Sequence, residues 1–209
     1  MSDLIFYTNP MSRGRIARWM LEEVGAPYTT ELVGYGPDMQ GGTYAALNPM
    51  RKVPALVHDG QLVTETAAIC AYLADAFPEA GLGPRPAERA AYFRAFFFAA
   101  GPVEAAVTNR AMGFEPSEQH SRMCGYGSYD RMVATLETLI EGREFVTGDR
   151  FTAVDVYLGS QIGWGLQFAT LPKRAVFETY FARLRERPAY RRAVEIDDAL
   201  LKEAAPAGA

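Results

Sequence analysis

Asn48-Pro49-Met50-Arg51-Lys52-Val53-Pro54-Ala55-Leu56-Val57, with Thr64-Glu65-Thr66-Ala67-Ala68-Ile69 a few residues on, is the stretch whose reading decides the fold. It holds two short apolar runs, Ala55–Val57 and Leu62–Val63, separated by Asp59-Gly60. Asp-Gly between such runs predicts a β-hairpin, because a type I′ turn needs positive φ at both central residues. Pro54 stands just before the first run, where a proline removes no ladder hydrogen bond. Thr64-Glu65-Thr66 offers hydroxyl and carboxylate groups suited to a helix N-terminus. Ile69, Tyr72, Leu73 and Ala76 continue it as an i, i+3, i+4, i+7 stripe. A proline-led strand, a tight hairpin and a helix with an open N-terminus leave backbone donors and acceptors free for a small peptide-like ligand.

Upstream, Leu4–Tyr7 is an apolar run of strand length that Thr8-Asn9-Pro10 stops. From Ser12 the period changes, and Ile16, Ala17, Met20, Leu21 and Val24 share one helical stripe ended by Gly25. Pro27–Val33 reads as a second strand, so the first part is a βαβ unit with parallel strands. Gly34–Arg51 is irregular, with room for a short helix at Thr43–Leu47. Residues 1–77 thus give β-α-β-α-β-β-α, a closed α/β domain around a mixed four-stranded sheet.

Downstream, Pro78, Gly81, Gly83, Pro84 and Pro86 mark 78–86 as a linker. Strand signals vanish after it, and 87–209 reads as an all-helical domain. Gly101-Pro102 should kink a helix over Ala87–Met112 rather than end it. A second helix carries Tyr129, Met132, Val133, Leu136 and Ile140; Gly125 and Gly127 weaken its first turns if those turns are helical. Thr152-Ala153-Val154-Asp155 is a capping box, flanked by Phe151 and Val156 in hydrophobic-staple positions. The helix it starts runs to Phe168. Two more are expected, Arg174–Arg187 and a short one after Pro188, and the small-residue tail from Ala205 should fray.

A net charge of −4 over 209 residues argues against a nucleic-acid partner. The basic run Arg183–Arg192, interleaved with Glu186, Pro188 and Tyr190, reads as a solvated helix end. No run is long enough for a membrane span and no signal peptide is visible, so the chain reads as cytoplasmic. Cys70 and Cys124 stand far apart in apolar helical patterns; they read as reduced core thiols and give no metal spacing.

These pieces, in this order, resemble the cytosolic glutathione transferases over nearly the whole chain. Carrying the resemblance are Tyr7 at the end of the first strand, Ser12-Arg13, Asn48-Pro49, Lys52-Val53-Pro54-Ala55-Leu56, Glu65-Thr66 and Thr152-x-x-Asp155. It implies a thioredoxin-like N-terminal domain, a helical C-terminal domain, and a homodimer. It also implies a cis peptide bond before Pro54, with the Val53 main chain pairing to the cysteinyl part of glutathione as one strand adds to another. Thr66 stands where members more often have Ser, and with its main-chain N–H would hold the γ-glutamyl carboxylate. Glu65 would face the ligand's ammonium, and Lys52 its glycyl carboxylate. Glu104 is a candidate to reach that ammonium across a dimer.

For the chemistry, Ser12 is preferred and Tyr7 is its rival. A free thiol ionises near 8.5, so a hydroxyl donor at a helix N-terminus would favour the thiolate. Ser12 matches the position at which serine-type members keep their serine, which points to a bacterial serine-type member. Its plain alternative is a helix cap. Asn9 and Arg13 are further candidates to assist. An electrophilic, small hydrophobic second substrate would meet a wall drawn from Met11, Tyr35, Met39, Phe96, Phe97, Met112, Phe114 and Trp164. The expected activity is conjugation of glutathione to that electrophile, or reduction of an organic peroxide by it. The competing reading is a transferase-like binding protein without turnover. A glutaredoxin-like reductase is disfavoured because neither cysteine falls at the nucleophile position. Maleylacetoacetate-type isomerisation is disfavoured by the missing serine and cysteine run after the first strand.

Overall fold

The computed structural model describes residues 3–204. The chain falls into two compact units: one runs to Leu82 and resumes at Arg187, and the other is Gly83–Glu186.

The first unit is built on strands β1 (Leu4–Thr8), β2 (Thr29–Leu32), β3 (Ala55–His58) and β4 (Gln61–Thr64), in the order β2-β1-β3-β4. β1 and β2 are parallel, whereas β1–β3 and β3–β4 are antiparallel. The hairpin forms where expected, with Asp59 at φ 48° and Gly60 at φ 78°. Between β1 and β2 runs α1 (Gly14–Val24), closed by Gly25 in the left-handed conformation with its N–H on the Leu21 carbonyl. The irregular stretch before β3 holds two short helices, α2 (Pro37–Gln40) and α3 (Gly42–Leu47), where one was expected. After β4 comes α4 (Thr66–Ala76).

Period-2 alternation divides the sheet's neighbours. Leu4, Phe6 and Thr8 are buried on one face, where the Arg18 guanidinium of α1 lies 5.2 Å from the Phe6 ring. Tyr7 and Ala55, paired across β1 and β3, pack instead with Val33, Met39 and Tyr44. Gly14 lets α1 start this close to β1: a Cβ there would sit 1.9 Å from the Thr8 hydroxyl oxygen.

The last helix, α10 (Pro188–Ala204), belongs to this unit, although the sequence groups it with the helical segment. It is not short, at 17 residues. Nor is the basic run before and within it simply solvated. Arg187 pairs with Glu23 at 2.6 and 2.8 Å, and Arg192 with Glu22 at 3.1 Å. Arg15 meets Asp198 and Arg18 meets Asp197, each at 2.7 Å. The Arg18–Asp197 pair is fully buried, each side chain 1% exposed. Burial raises the Asp197 carboxyl above the usual carboxylate range, and Arg18 opposes the rise. Removing either partner would strand a buried charge, at a cost of roughly 3–5 kcal/mol. Tyr28 joins this cluster, donating to Glu22 at 2.7 Å, and burial with that hydrogen bond pushes its hydroxyl up to about 12.

The second unit is helical: α5 (Arg89–Phe98), α6 (Glu104–Ala111), α7 (Tyr129–Ile140), α8 (Ala153–Gln167) and α9 (Ala175–Arg185). A π-helical turn over Ala99–Val103 carries Gly101-Pro102 and joins α5 to α6, so the helical path continues through it without stopping. Ser128 caps α7 by accepting from the Arg131 N–H, which leaves Gly125 and Gly127 ahead of the helix, where they weaken nothing. Cys124 lies in that same connection and not in a helix; Cys70 is buried in α4. The capping box at Thr152 and Asp155 forms. α8 is almost wholly buried, and a Cβ at Gly159 or Gly163 would strike Leu184 or Phe181 of α9 at 2.2 or 2.3 Å. The tail from Ala205 lies outside the described residues.

Candidate functional site

Strand register gathers the sequence candidates of the first unit at one end of the sheet. Tyr7 is opposite Ala55, and Ala55 is opposite Thr64. The chain leaving β1 toward Ser12, the chain entering β3 through Lys52, Val53 and Pro54, and the chain leaving β4 into Glu65 and Thr66 are therefore neighbours.

Each segment is held by its own hydrogen bonds. Asn9 organises the turn after β1: its amide donates to the Val33 carbonyl at 3.0 Å and its side-chain oxygen accepts from the Met11 N–H at 2.9 Å. The Asn9 carbonyl accepts from the Ser12 N–H at 3.0 Å and from the Ser12 hydroxyl at 2.7 Å. Ser12 in turn accepts from the Gly14 N–H at 2.9 Å. Its oxygen thus serves the first turn of α1, and its proton points to a carbonyl. Tyr7 lies against Tyr44 with ring centroids 5.7 Å apart, and lines a cleft of about 600 Å³ with Glu31, Asp38, Thr43 and Tyr44.

The Val53-Pro54 bond is cis. The loop before it is fixed through the Lys52 carbonyl, which accepts from the Asn48 amide at 2.8 Å and from the Tyr44 hydroxyl. Asn48 also accepts from the Met50 N–H at 3.1 Å. No hydrogen bond among the described residues uses the Val53 main chain or the Lys52 ammonium. Tyr44 and Asn48 were missed as supports. Asn48-Pro49 stood in the sequence as a motif, but nothing local shows that its amide reaches Lys52.

Glu65 caps α4 with φ 65° and ψ 118°, a conformation strained for a non-glycine residue, and makes no side-chain cap hydrogen bond. Its carboxylate is exposed, and Thr66 is 7% exposed. The helix end is open, with its first N–H groups available to an anion.

The candidate walls divide. Met11 and Tyr35 meet in the first unit, where the Tyr35 hydroxyl donates to the Met11 carbonyl at 3.3 Å. In the second unit Phe97 and Met112 are 73% and 70% exposed, Phe114 is exposed, and Trp164 is half-buried against Phe168. Met39 and Phe96 are core side chains rather than walls: Met39 packs with Tyr44, and Phe96 stacks on Tyr157 at 5.8 Å. Glu104 accepts from the Tyr157 hydroxyl at 3.3 Å within its own unit. Among the described residues no helix is long and apolar enough to cross a membrane, and no cluster of three or more His, Cys, Asp or Glu side chains could hold a metal ion.

The first unit has a thioredoxin-like sheet, with an open helix end beside a cis-proline loop, and the second unit is helical. Residues 11–76 match the glutathione S-transferase N-terminal domain family. The chain is 28% identical over 173 residues to glutathione S-transferase GstA of Escherichia coli O157:H7, covering 78% of this chain and 79% of that protein. It is 53% identical to Protein LigF of a Sphingobium species, but over only 45 residues, 22% of this chain and 18% of that protein. Among solved structures, the theta class glutathione S-transferase of Xanthomonas axonopodis pv. citri with glutathione bound is 27% identical, with a TM-score of 0.73 and coverage of 93% and 98%. The N-terminal match and the names of these relatives make the chain similar to glutathione S-transferases.

Proposed function

We propose that this chain binds glutathione at the sheet end described above, stabilises its thiolate, and conjugates it through the sulfur to a small hydrophobic electrophile, whose leaving group departs as the C–S bond forms, in the manner of a bacterial serine-type glutathione transferase. The observation that carries the reading is the register Tyr7–Ala55–Thr64, which makes neighbours of three segments with complementary chemistry. In this reading Val53 pairs its main chain with the cysteinyl residue, as an added strand pairs with an edge. The α4 N-terminus and Thr66 take the γ-glutamyl carboxylate, Glu65 takes the ammonium, and Lys52 takes the glycyl carboxylate. A relative with glutathione bound supports the choice of ligand. The chain acts as a homodimer in this reading.

Ser12 is the proposed thiolate donor. Its proton would turn from the Asn9 carbonyl to the sulfur, exchanging a neutral hydrogen bond for a charge-assisted one of about twice the strength. The same bond to Asn9 favours a second reading, in which Ser12 only caps α1 and Tyr7 is the donor. Ultraviolet thiolate absorbance of bound glutathione against pH separates them. Ser12→Ala should raise the bound thiol's pKa by roughly 1–2 units and slow turnover near neutral pH about ten- to a hundred-fold, at nearly unchanged affinity. Coincident titration curves would remove Ser12 from the chemistry, and a shift in Tyr7→Phe would then assign the role to Tyr7.

A further inference from the structure

Arg15 stands in the first turn of α1, where the helix dipole disfavours a cation. It does not point away into solvent. Its Nε donates backward to the Pro10 carbonyl at 2.6 Å, and its Nη2 donates to Asp198 of α10 at 2.7 Å. Pro10 lies inside the Asn9–Ser12 turn, between the carbonyl that accepts the Ser12 proton and Ser12 itself. A planar guanidinium can hold two such acceptors in fixed directions at once, which an ammonium cannot do as rigidly.

We infer that Arg15 is a positioning residue for the thiol chemistry: anchored by Asp198, it fixes the Pro10 carbonyl and with it the turn that presents Ser12. The last helix thereby becomes part of the active-site support, although it lies 183 residues from Arg15 in the chain. The link to chemistry rests on the proposed glutathione function; the link to the turn does not.

Two measurements on Asp198→Asn and Arg15→Lys test it. The first is amide hydrogen exchange without glutathione. Both variants should speed exchange at Ser12, Gly14 and Arg15 by about tenfold or more, a loss of protection confined to one turn, while Met20 and Leu21 keep theirs. Unchanged protection at Ser12, or uniform loss along α1, would overturn the inference and leave Arg15–Asp198 a plain surface tie. The second is the pH profile of turnover with an aryl halide. Both variants should move the profile up by about 0.5–1 unit, seen as roughly three- to tenfold lower kcat at pH 6.5, with KM for glutathione within about twofold. Asp198→Glu should restore the wild-type profile. A profile that stays in place while the melting temperature falls would also overturn it. If wild type itself neither binds glutathione nor turns over, the functional reading fails, and the exchange result still decides the role of Arg15.

Discussion

The N-termini of α4 and α8 begin with similar residues and are capped in opposite ways. At α8 the Asp155 carboxylate accepts from the Thr152 N–H and hydroxyl, the Val146 N–H and the Tyr180 hydroxyl. Asp155 and Thr152 are fully buried, and every bond they make is spent inside the fold. Burial raises the Asp155 carboxyl above the usual range despite these four donors. At α4 the cap is Glu65, which is exposed, strained and without a side-chain cap bond. A helix end satisfied by its own chain stabilises; one left open at a strained residue can bind.

The largest expected effect falls at the closed end. Asp155→Ala deprives three residues' buried donors of their acceptor and should destabilise the protein by roughly 2–4 kcal/mol in denaturant unfolding. Glutathione affinity measured at low temperature should stay near wild type. Normal stability with lost affinity would reverse the roles assigned to the two helix ends. Next comes the open end. Glu65→Ala should weaken glutathione binding by about 1.5–3 kcal/mol in titration calorimetry, with unfolding changed by less than about 0.5 kcal/mol. Equal affinities would remove Glu65 from the site.

The smallest effect lies beside the closed end, where Arg150 leads into the capping box and pairs with Glu88 while donating to the Gly83 carbonyl. The hydrogen bond from Arg150 holds the Glu88 carboxyl below its ordinary range. A depressed folded pKa gives stability that is present above the unfolded value, about 4.3, and lost as pH falls through the folded one. Glu88→Gln should therefore be less stable than wild type by roughly 0.5–1 kcal/mol at pH 7. Thermal melts should show the gap closing below about pH 4. A constant gap would mean that packing, not charge, sets the contribution of Glu88.

What was legible in the sequence shares one physical feature: cause and effect lie within a turn or two of chain. Asp59-Gly60 carries the backbone freedom of its own hairpin, Gly25 ends its own helix, and Thr152 with Asp155 spans one helical turn. Ser12, Val53, Pro54, Glu65 and Thr66 were named through the resemblance to glutathione transferases, and each sits at or near the end of a strand or helix. The length of α10 and its place beside α1 were missed because its stripe is interrupted by charges, and those charges have partners on α1 that no local window contains.

By itself the sequence determined the order of strands and helices apart from the second short helix before β3, the turn chemistry and the self-capped end of α8, since these depend on φ/ψ preferences and hydrogen bonds between near neighbours. Only the tertiary structure decided that the last helix belongs with the first unit, that Asn48 and Tyr44 hold the loop before the cis-proline, and that Arg15 ties Pro10 to Asp198. The reason is burial and register. Arg18 and Asp197 lose their water together only when α1 and α10 meet, and the three segments proposed to bind glutathione become neighbours only when β1, β3 and β4 pair residue by residue.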